Sequence, residues 1–137
     1  MLRSFVGLLG LLLTCPTLTQ SQVLQGQLPE VTSNDIGYKT VAAALAGLKA
    51  KSGVLITIEH GWTIVTEIEQ KTLWSFAPPT HPAYPSVVQR RVEQVGENVV
   101  MHMAVTCEAS KTACDGLVRE FSALNEAVMP TTQPRRD

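Results

Sequence analysis

The chain has 137 residues, with 11 Lys and Arg against 12 Asp and Glu, and therefore a formal net charge of −1. This length fits a single domain, and the near balance of charge excludes partners that are recognised by bulk charge, such as nucleic acid. Hydrophobic residues make up 45% of the chain although aromatic residues make up only 5%, which favours a small packed core over a disordered chain.

Residues 1–21 have the pattern of a signal sequence. Arg3 gives a positive start, and the apolar run 5–13 is too short to span a bilayer but has the length of a signal-peptide core. Small residues at 19 and 21 fit cleavage by an ordinary signal peptidase, which would release a mature chain that starts near Gln22. The sequence therefore predicts a periplasmic or secreted protein.

A second interpretation of the same region is a lipoprotein signal that ends before Cys15. Residues 12–15 resemble a lipoprotein box, although Thr14 stands where Gly, Ala or Ser is usual. Lipidation at Cys15 would anchor the protein to the membrane, and we expect a membrane partner only in that case.

The residues after the signal divide into a tether, a domain and a tail. Residues 22–34 show little periodicity and are predicted to be a flexible tether. A single α+β domain is expected over residues 35–128. Residues 129–137 are rich in Pro, Thr, Gln and Arg, and they are expected to form a disordered tail.

The first element of the domain is predicted to be a helix that runs from Thr40 to about Lys51. Thr40 is a residue type that caps helices, and Val41 and Leu48 belong to one apolar stripe with helical spacing. Gly53 follows the last turn as a stop signal.

Three strands are predicted next. Residues 54–59 form a β-branched run, and His60-Gly61 is a tight turn into residues 62–68, where apolar residues and Thr alternate. Residues 72–77 form the third strand. Glu59, Glu67 and Glu69 lie near the hairpin ends and are expected to be solvated.

The last strands are predicted over residues 86–95 and 99–107, with a turn at Gly96 between them. A short helix over residues 87–91 is an alternative for part of the first of these strands. In the second, alternation places the bulkier apolar residues on one core face and His102 on the opposite face.

The sequence predicts a disulfide between Cys107 and Cys114. Cys107 faces inward from a strand, and Cys114 lies on the apolar stripe of a helix that begins after Ser110. Closing this short loop should stabilise the fold by about 2–3 kcal/mol. Two reduced buried thiols are the alternative, but the signal sequence implies an oxidising compartment.

Together these elements predict an α+β domain of two layers. We expect an antiparallel sheet of about five strands, with two helices packed on one face and one disulfide.

The sequence contains no catalytic or cofactor motif. It lacks a Gly-rich phosphate loop, H-E-x-x-H, G-x-S-x-G, C-x-x-C and paired Cys/His zinc spacing. The three histidines, His60, His81 and His102, fall in a turn, a loop and a strand. No catalytic residue, cofactor or metal is therefore predicted.

The most distinctive segment is the proline-rich loop, which we define as residues 78–85. It contains four prolines together with His81 and Tyr84, whose rings carry polar atoms suited to recognition. The structural alternative is that the loop only crosses the sheet while Tyr84 covers the edge of the core.

The leading functional hypothesis is a non-catalytic binding module for an unidentified envelope protein or cell-wall ligand. Its predicted contact residues are His81 and Tyr84 in the loop, Trp74 just before the loop, His102 on the sheet face that the helices are expected to leave free, and Arg91. Arg90 and Arg91 are expected to point to opposite faces of their strand. The alternative is a small periplasmic hydrolase-like enzyme that uses His81, Tyr84 and a nearby carboxylate. The sequence predicts no oligomeric state.

Several motifs within residues 35–127 occur together: Leu73-Trp74-Ser75-Phe76, then His81-Pro82-Ala83-Tyr84-Pro85-Ser86-Val87-Val88 with Arg90-Arg91, then Cys107-Glu108-Ala109 and Cys114-Asp115. In this combination the chain resembles a family of small secreted proteobacterial proteins without an established function. The resemblance implies export but no particular activity.

Some members of that family are labelled J-domain chaperones, which this sequence does not support. A J domain is helical and works through His-Pro-Asp, whereas here Ala83 follows His81-Pro82 in a β-rich chain. Tyr84-Pro85 and the later alternating valines are also similar to the C-terminal domain of TonB-type energy transducers. The cysteine pair departs from that pattern, so the similarity is an analogy for the fold alone.

Overall fold

The computed structural model describes residues 31–33 and 35–128. The predicted signal sequence, the lipidation site Cys15, most of the tether and the tail at 129–137 lie outside the described residues. The element order is β1 (Val31–Ser33), α1 (Val41–Lys49), β2 (Val54–Glu59), β3 (Trp62–Glu67), β4 (Thr72–Phe76), β5 (Ser86–Val95), β6 (Asn98–Cys107) and α2 (Lys111–Val128). The α+β class is confirmed, and the alternative helix over residues 87–91 is wrong because those residues lie within β5.

The strands form one sheet in the order β1-β6-β5-β4-β3-β2. The five strands from β2 to β6 are antiparallel, as the sequence predicted, and each is paired with the next along the chain. A sixth strand, β1, pairs in parallel with β6 and matches Val31 with His102. Part of the predicted tether, residues 31–33, thus forms a strand. A three-residue strand is too short to show alternation, so its backbone pairing left no signal in the sequence.

The two helices pack on opposite faces of the sheet, which corrects the predicted two-layer arrangement. The neighbouring residues Val87 and Val88 point to opposite faces and belong to different core clusters. The cluster under α1 contains Val41, Ala44, Leu48, Val65, Trp74, Phe76, Val87 and Ala104. The cluster under α2 contains Ala83, Val88, Met103, Val105, Leu117 and Phe121. The domain therefore has three layers, and we call the two sides of the sheet the α1 face and the α2 face.

Strand β6 explains why one face looked free in the sequence. Met103 and Val105 are buried under α2, as alternation predicted. On the other side of the strand, the smaller residues Val100 and Ala104 are also buried, and Ala104 belongs to the core under α1. Both faces of this strand therefore contribute to a core, although only the bulkier set looked like one.

The disulfide between Cys107 and Cys114 is present, with the two Cα atoms 5.8 Å apart. It joins the last residue of β6 to the first turn of α2. The hydroxyl of Ser110 accepts a hydrogen bond from the backbone N–H of Ala113 at 3.3 Å, which confirms Ser110 as the cap of α2.

Helix α1 has two acceptors at its N-terminus. The hydroxyl of Thr40 accepts a hydrogen bond from the N–H of Ala43 at 3.1 Å, as the sequence predicted. The carboxylate of Glu108, which directly follows β6, accepts a second bond from the N–H of Val41 at 2.8 Å. Because the first N–H groups of a helix have no partner within it, Glu108 satisfies a group that would otherwise depend on water.

Candidate binding surfaces

Trp74 is a core residue rather than a surface residue. Its side chain is only 3% exposed and belongs to the core under α1. The indole Nε1 donates a hydrogen bond to Oε2 of Glu67 at 2.7 Å, and Tyr38 packs edge-on against the ring at 5.9 Å. This placement corrects the prediction of Trp74 as a contact residue, because α1 covers the face on which it lies.

Glu67 is buried as well, which corrects the expectation that it is solvated. It is 4% exposed, and its Oε1 accepts a hydrogen bond from Nζ of Lys51. That hydrogen bond raises the pKa of Lys51 above its ordinary value. The carboxylate is thus shared between Lys51 and Trp74, so it is a structural group and not a free acid or base.

The proline-rich loop is held in one shape by its own backbone and by hydrogen bonds at its base. The N–H of His81 donates to the carbonyl of Pro78 at 2.9 Å, and the N–H of Tyr84 donates to the carbonyl of His81 at 3.0 Å. At the base, the backbone N–H of Ala77 donates to the carbonyl of Ser86 at 3.0 Å. The backbone N–H of Glu108 donates to the carbonyl of Pro85 at 2.9 Å. The peptide bond between Tyr84 and Pro85 is cis.

His81 ties the loop to α2. Its Nδ1 accepts a hydrogen bond from the N–H of Ala83 at 3.1 Å, so the ring proton lies on Nε2, which is 3.4 Å from Oε2 of Glu120. The ring also packs edge-on against Trp62 at 5.0 Å, and Trp62 in turn packs against Phe121 at 5.6 Å. Both ring nitrogens therefore make contacts that hold the loop in place.

Tyr84 and its neighbour Ala83 have opposite roles in the loop. Ala83 is fully buried and belongs to the core under α2, whereas Tyr84 is 47% exposed. A ring that closed the edge of the core would be buried, so the structural alternative for Tyr84 is not supported. The residue that fills the core at this point is Ala83, which sequence reasoning did not single out.

His102 and Arg91 lie opposite each other on β6 and β5, on the α1 face. Nε2 of His102 is 2.8 Å from Oε2 of Glu93, but the two atoms are not aligned for a hydrogen bond. Arg91 lies 3.8 Å from the same carboxylate. His102 and Arg91 border an open cleft of about 400 Å³ that Asp35 and Gln89 also line. The prediction that helices leave this face free is wrong, because α1 packs on the same face farther along the sheet.

The five predicted contact residues do not form one surface. Tyr84 and His81 lie just before β5, and His81 contacts α2, whereas Arg91 and His102 lie on the α1 face. Arg91 is five positions beyond Ser86 along β5, a distance of about 17 Å at the usual rise of a strand. The structure thus contains two separate exposed sites and one buried tryptophan.

Comparison with known proteins finds no matching family model, no matching curated protein and no matching solved structure. Across residues 31–33 and 35–128, no helix has the length and apolar character needed to cross a membrane. We therefore infer the function from the geometry of a three-layer α+β domain that displays a fixed aromatic loop.

Proposed function

We propose that this protein is an exported, non-catalytic binding module that recognises a partner protein of the cell envelope through the proline-rich loop. The observation that carries the proposal is the exposed ring of Tyr84 on a loop that backbone hydrogen bonds already hold in place. Pro79, Thr80 and Pro82 are exposed around it. Together they form a small exposed surface with one aromatic side chain.

The fixed shape of the loop favours binding. A flexible loop loses conformational freedom when it binds, and this loss opposes association. Here the turn from Pro78 to Tyr84 is already formed, so association orders little besides the Tyr84 side chain. Tyrosine is enriched among the residues that dominate the binding energy of protein interfaces.

Export is the second part of the proposal. The Cys107–Cys114 disulfide supports it, because structural disulfides persist in oxidising compartments and are rare in the cytosol. The signal pattern of residues 1–21 supports the same location.

The enzyme alternative has one observation in its favour, which is the 3.4 Å approach of His81 to Glu120. Paired histidine and carboxylate groups occur in many hydrolases. A general base, however, needs a ring nitrogen that can take a proton, and Nδ1 of His81 already accepts the N–H of Ala83 while Nε2 faces Glu120. Binding therefore explains the loop better than catalysis does.

The test is capture of partners from envelope extract with the wild-type protein and with a Tyr84→Ala variant. Ile58→Ala is the matched control, since Ile58 is also exposed, at 68%, and lies in β2 rather than in the loop. We expect a protein that the wild type and Ile58→Ala retain and that Tyr84→Ala loses. Equal capture by all three variants would contradict the proposal, as would retention of cell-wall polymer alone.

A further inference from the structure

An apolar groove of about 600 Å³ lies on the α2 face, at the end of α2 away from the proline-rich loop. It is open to solvent between the C-terminal half of α2 and strands β3 to β6. Its apolar wall consists of Ile68, Leu73, Val92, Met101, Leu124 and Val128. Leu124 is 42% exposed and Val128 is 57% exposed, so these side chains have apolar surface left to cover. The volume falls within the range of about 300–1,000 Å³ that is typical of small-molecule sites.

A positive charge without a carboxylate partner lines this groove. The guanidinium of Arg90 lies 5.1 Å from the centre of the Phe121 ring, and its Nη1 donates to Oδ1 of the buried Asn125 at 3.4 Å. Its Nε is buried without a hydrogen-bond partner, and none of the ion pairs among residues 35–128 includes Arg90. Burial lowers the pKa of Arg90, which agrees with an environment that lacks a counter-ion. An anion bound here would offset the cost of that burial.

The other charged residues along the groove leave it positive. Lys71 lies along it, on the turn between β3 and β4. Glu67 borders it too, but the carboxylate of Glu67 is held by Lys51 and Trp74 on the opposite face. The groove therefore combines an apolar wall with an excess of positive charge.

We propose that the groove binds a free medium-chain fatty acid. The acyl chain lies along the apolar wall, and the carboxylate pairs with the guanidinium of Arg90, which can hold a carboxylate through two parallel hydrogen bonds. Two segments of the chain lack this combination: the apolar run 5–13 carries no anionic group, and residues 130–137 contain no apolar side chain except proline.

Titration calorimetry of the oxidised full-length chain with dodecanoate, below its micelle concentration, tests the proposal. We expect saturable binding of one dodecanoate per chain and at least tenfold weaker binding to Arg90→Gln. Arg91→Gln is the matched control, because Arg91 is the next residue and points to the opposite face of the sheet. The affinity of Arg91→Gln for dodecanoate should equal that of the wild type. Dodecyltrimethylammonium, which has the same chain and the opposite charge, should not bind.

Further measurements test the proposal without Arg90→Gln, in case that variant does not fold. Leu124→Gln alters an exposed residue of the wall and should weaken dodecanoate binding without loss of the fold. Octanoate should bind more weakly than dodecanoate, because fewer methylene groups reach the wall. Tyr84→Ala should leave dodecanoate binding unchanged, which separates this site from the proposed partner surface.

Three outcomes would overturn the proposal. The first is the absence of saturable dodecanoate binding, and the second is equal affinity of Arg90→Gln and Arg91→Gln. The third is binding to phosphatidylglycerol vesicles without binding of dodecanoate, which would place a membrane lipid in the groove instead of a free fatty acid.

Discussion

The indole Nε1 of Trp74 donates a hydrogen bond of 2.7 Å to Oε2 of Glu67, and both side chains lie in the interior under α1. They are diagonal neighbours on β4 and β3, since Trp74 is paired with Val65 and Glu67 with Thr72. The other carboxylate oxygen of Glu67 faces Lys51, just beyond the end of α1. This buried carboxylate on β3 thus links β4 to the residue that follows α1. Its removal should lower the stability of the domain and leave binding unchanged.

Trp74→Phe should lower the free energy of unfolding by about 1–3 kcal/mol, because it leaves one oxygen of the buried Glu67 carboxylate without its donor. Denaturant unfolding gives the value. A double-mutant cycle with Glu67→Met, which removes the acceptor, separates the hydrogen bond from the change in ring size, and we expect a clear coupling energy. Strict additivity of the two changes would show that the contact contributes nothing.

The pairing of Lys51 with Glu67 should make stability depend on pH in the alkaline range. Its hydrogen bond to Glu67 raises the pKa of Lys51 above its ordinary value of 10.5 in the folded state. A raised folded pKa means that the stabilisation is fully present below 10.5 and is lost as the pH rises through the folded value. The melting temperatures of wild type and Lys51→Met should therefore converge above that pH. Since the Lys51 side chain is 49% exposed, the difference should be small, and a gap that widens with pH would contradict the assignment.

Glu108→Ala should destabilise the domain by about 0.5–2 kcal/mol, which is the usual cost of removing a cap. The substitution removes the acceptor of the Val41 N–H at the start of α1. Glu59→Ala is the control, because the carboxylate of Glu59 is exposed and accepts a hydrogen bond from the nearby Thr57, far from the start of α1. Equal unfolding free energies for the two variants would show that Glu108 does not cap α1.

Gly47→Ala should destabilise the protein although alanine is usually the better helix residue. A Cβ at position 47 would lie 2.6 Å from Cε1 of Tyr38, whose ring packs against Trp74. We expect a cost of about 1–3 kcal/mol from this overlap. Gly116→Ala in α2 is the matched control, since the nearest atom lies at 3.9 Å, and it should stabilise the protein by up to about 1 kcal/mol. The same sign of effect at both positions would contradict the predicted clash.

Local patterns predicted the elements because each carries its own signal. The Thr40 cap and the helical spacing after it located α1, and alternation located the strands. The side on which each helix packs has no such signal, since it depends on how the chain crosses the sheet. In β6 each of the two alternating sets contains buried residues. Ala104 belongs to a second core, which its small size did not indicate in the sequence.

The site was predicted less completely than the fold, for a related reason. The prolines identified the loop between β4 and β5, but the path of its backbone decides that Ala83 is buried and Tyr84 exposed. Likewise, the burial of Glu67 depends on Trp74 and on Lys51, which is distant in sequence. Contacts of this kind appear only when separate elements meet.

The rings of His81 and Tyr84 in the loop should contribute differently to stability. His81→Ala should destabilise the domain, because it removes the acceptor of the Ala83 N–H and the ring that packs on Trp62. Tyr84→Ala removes an exposed ring and should leave the unfolding free energy within about 0.5 kcal/mol of the wild type. The two substitutions should therefore be studied separately.

The most direct test of recognition through the loop is to measure, on Tyr84→Ala, both its affinity for the captured partner and its free energy of unfolding. If Tyr84 binds the partner, its removal should lower the affinity by more than about 1 kcal/mol, roughly fivefold, with stability unchanged. The opposite pattern would contradict it: full affinity together with a stability loss of about 3 kcal/mol or more would mean that Tyr84 is a core residue and the loop a scaffold.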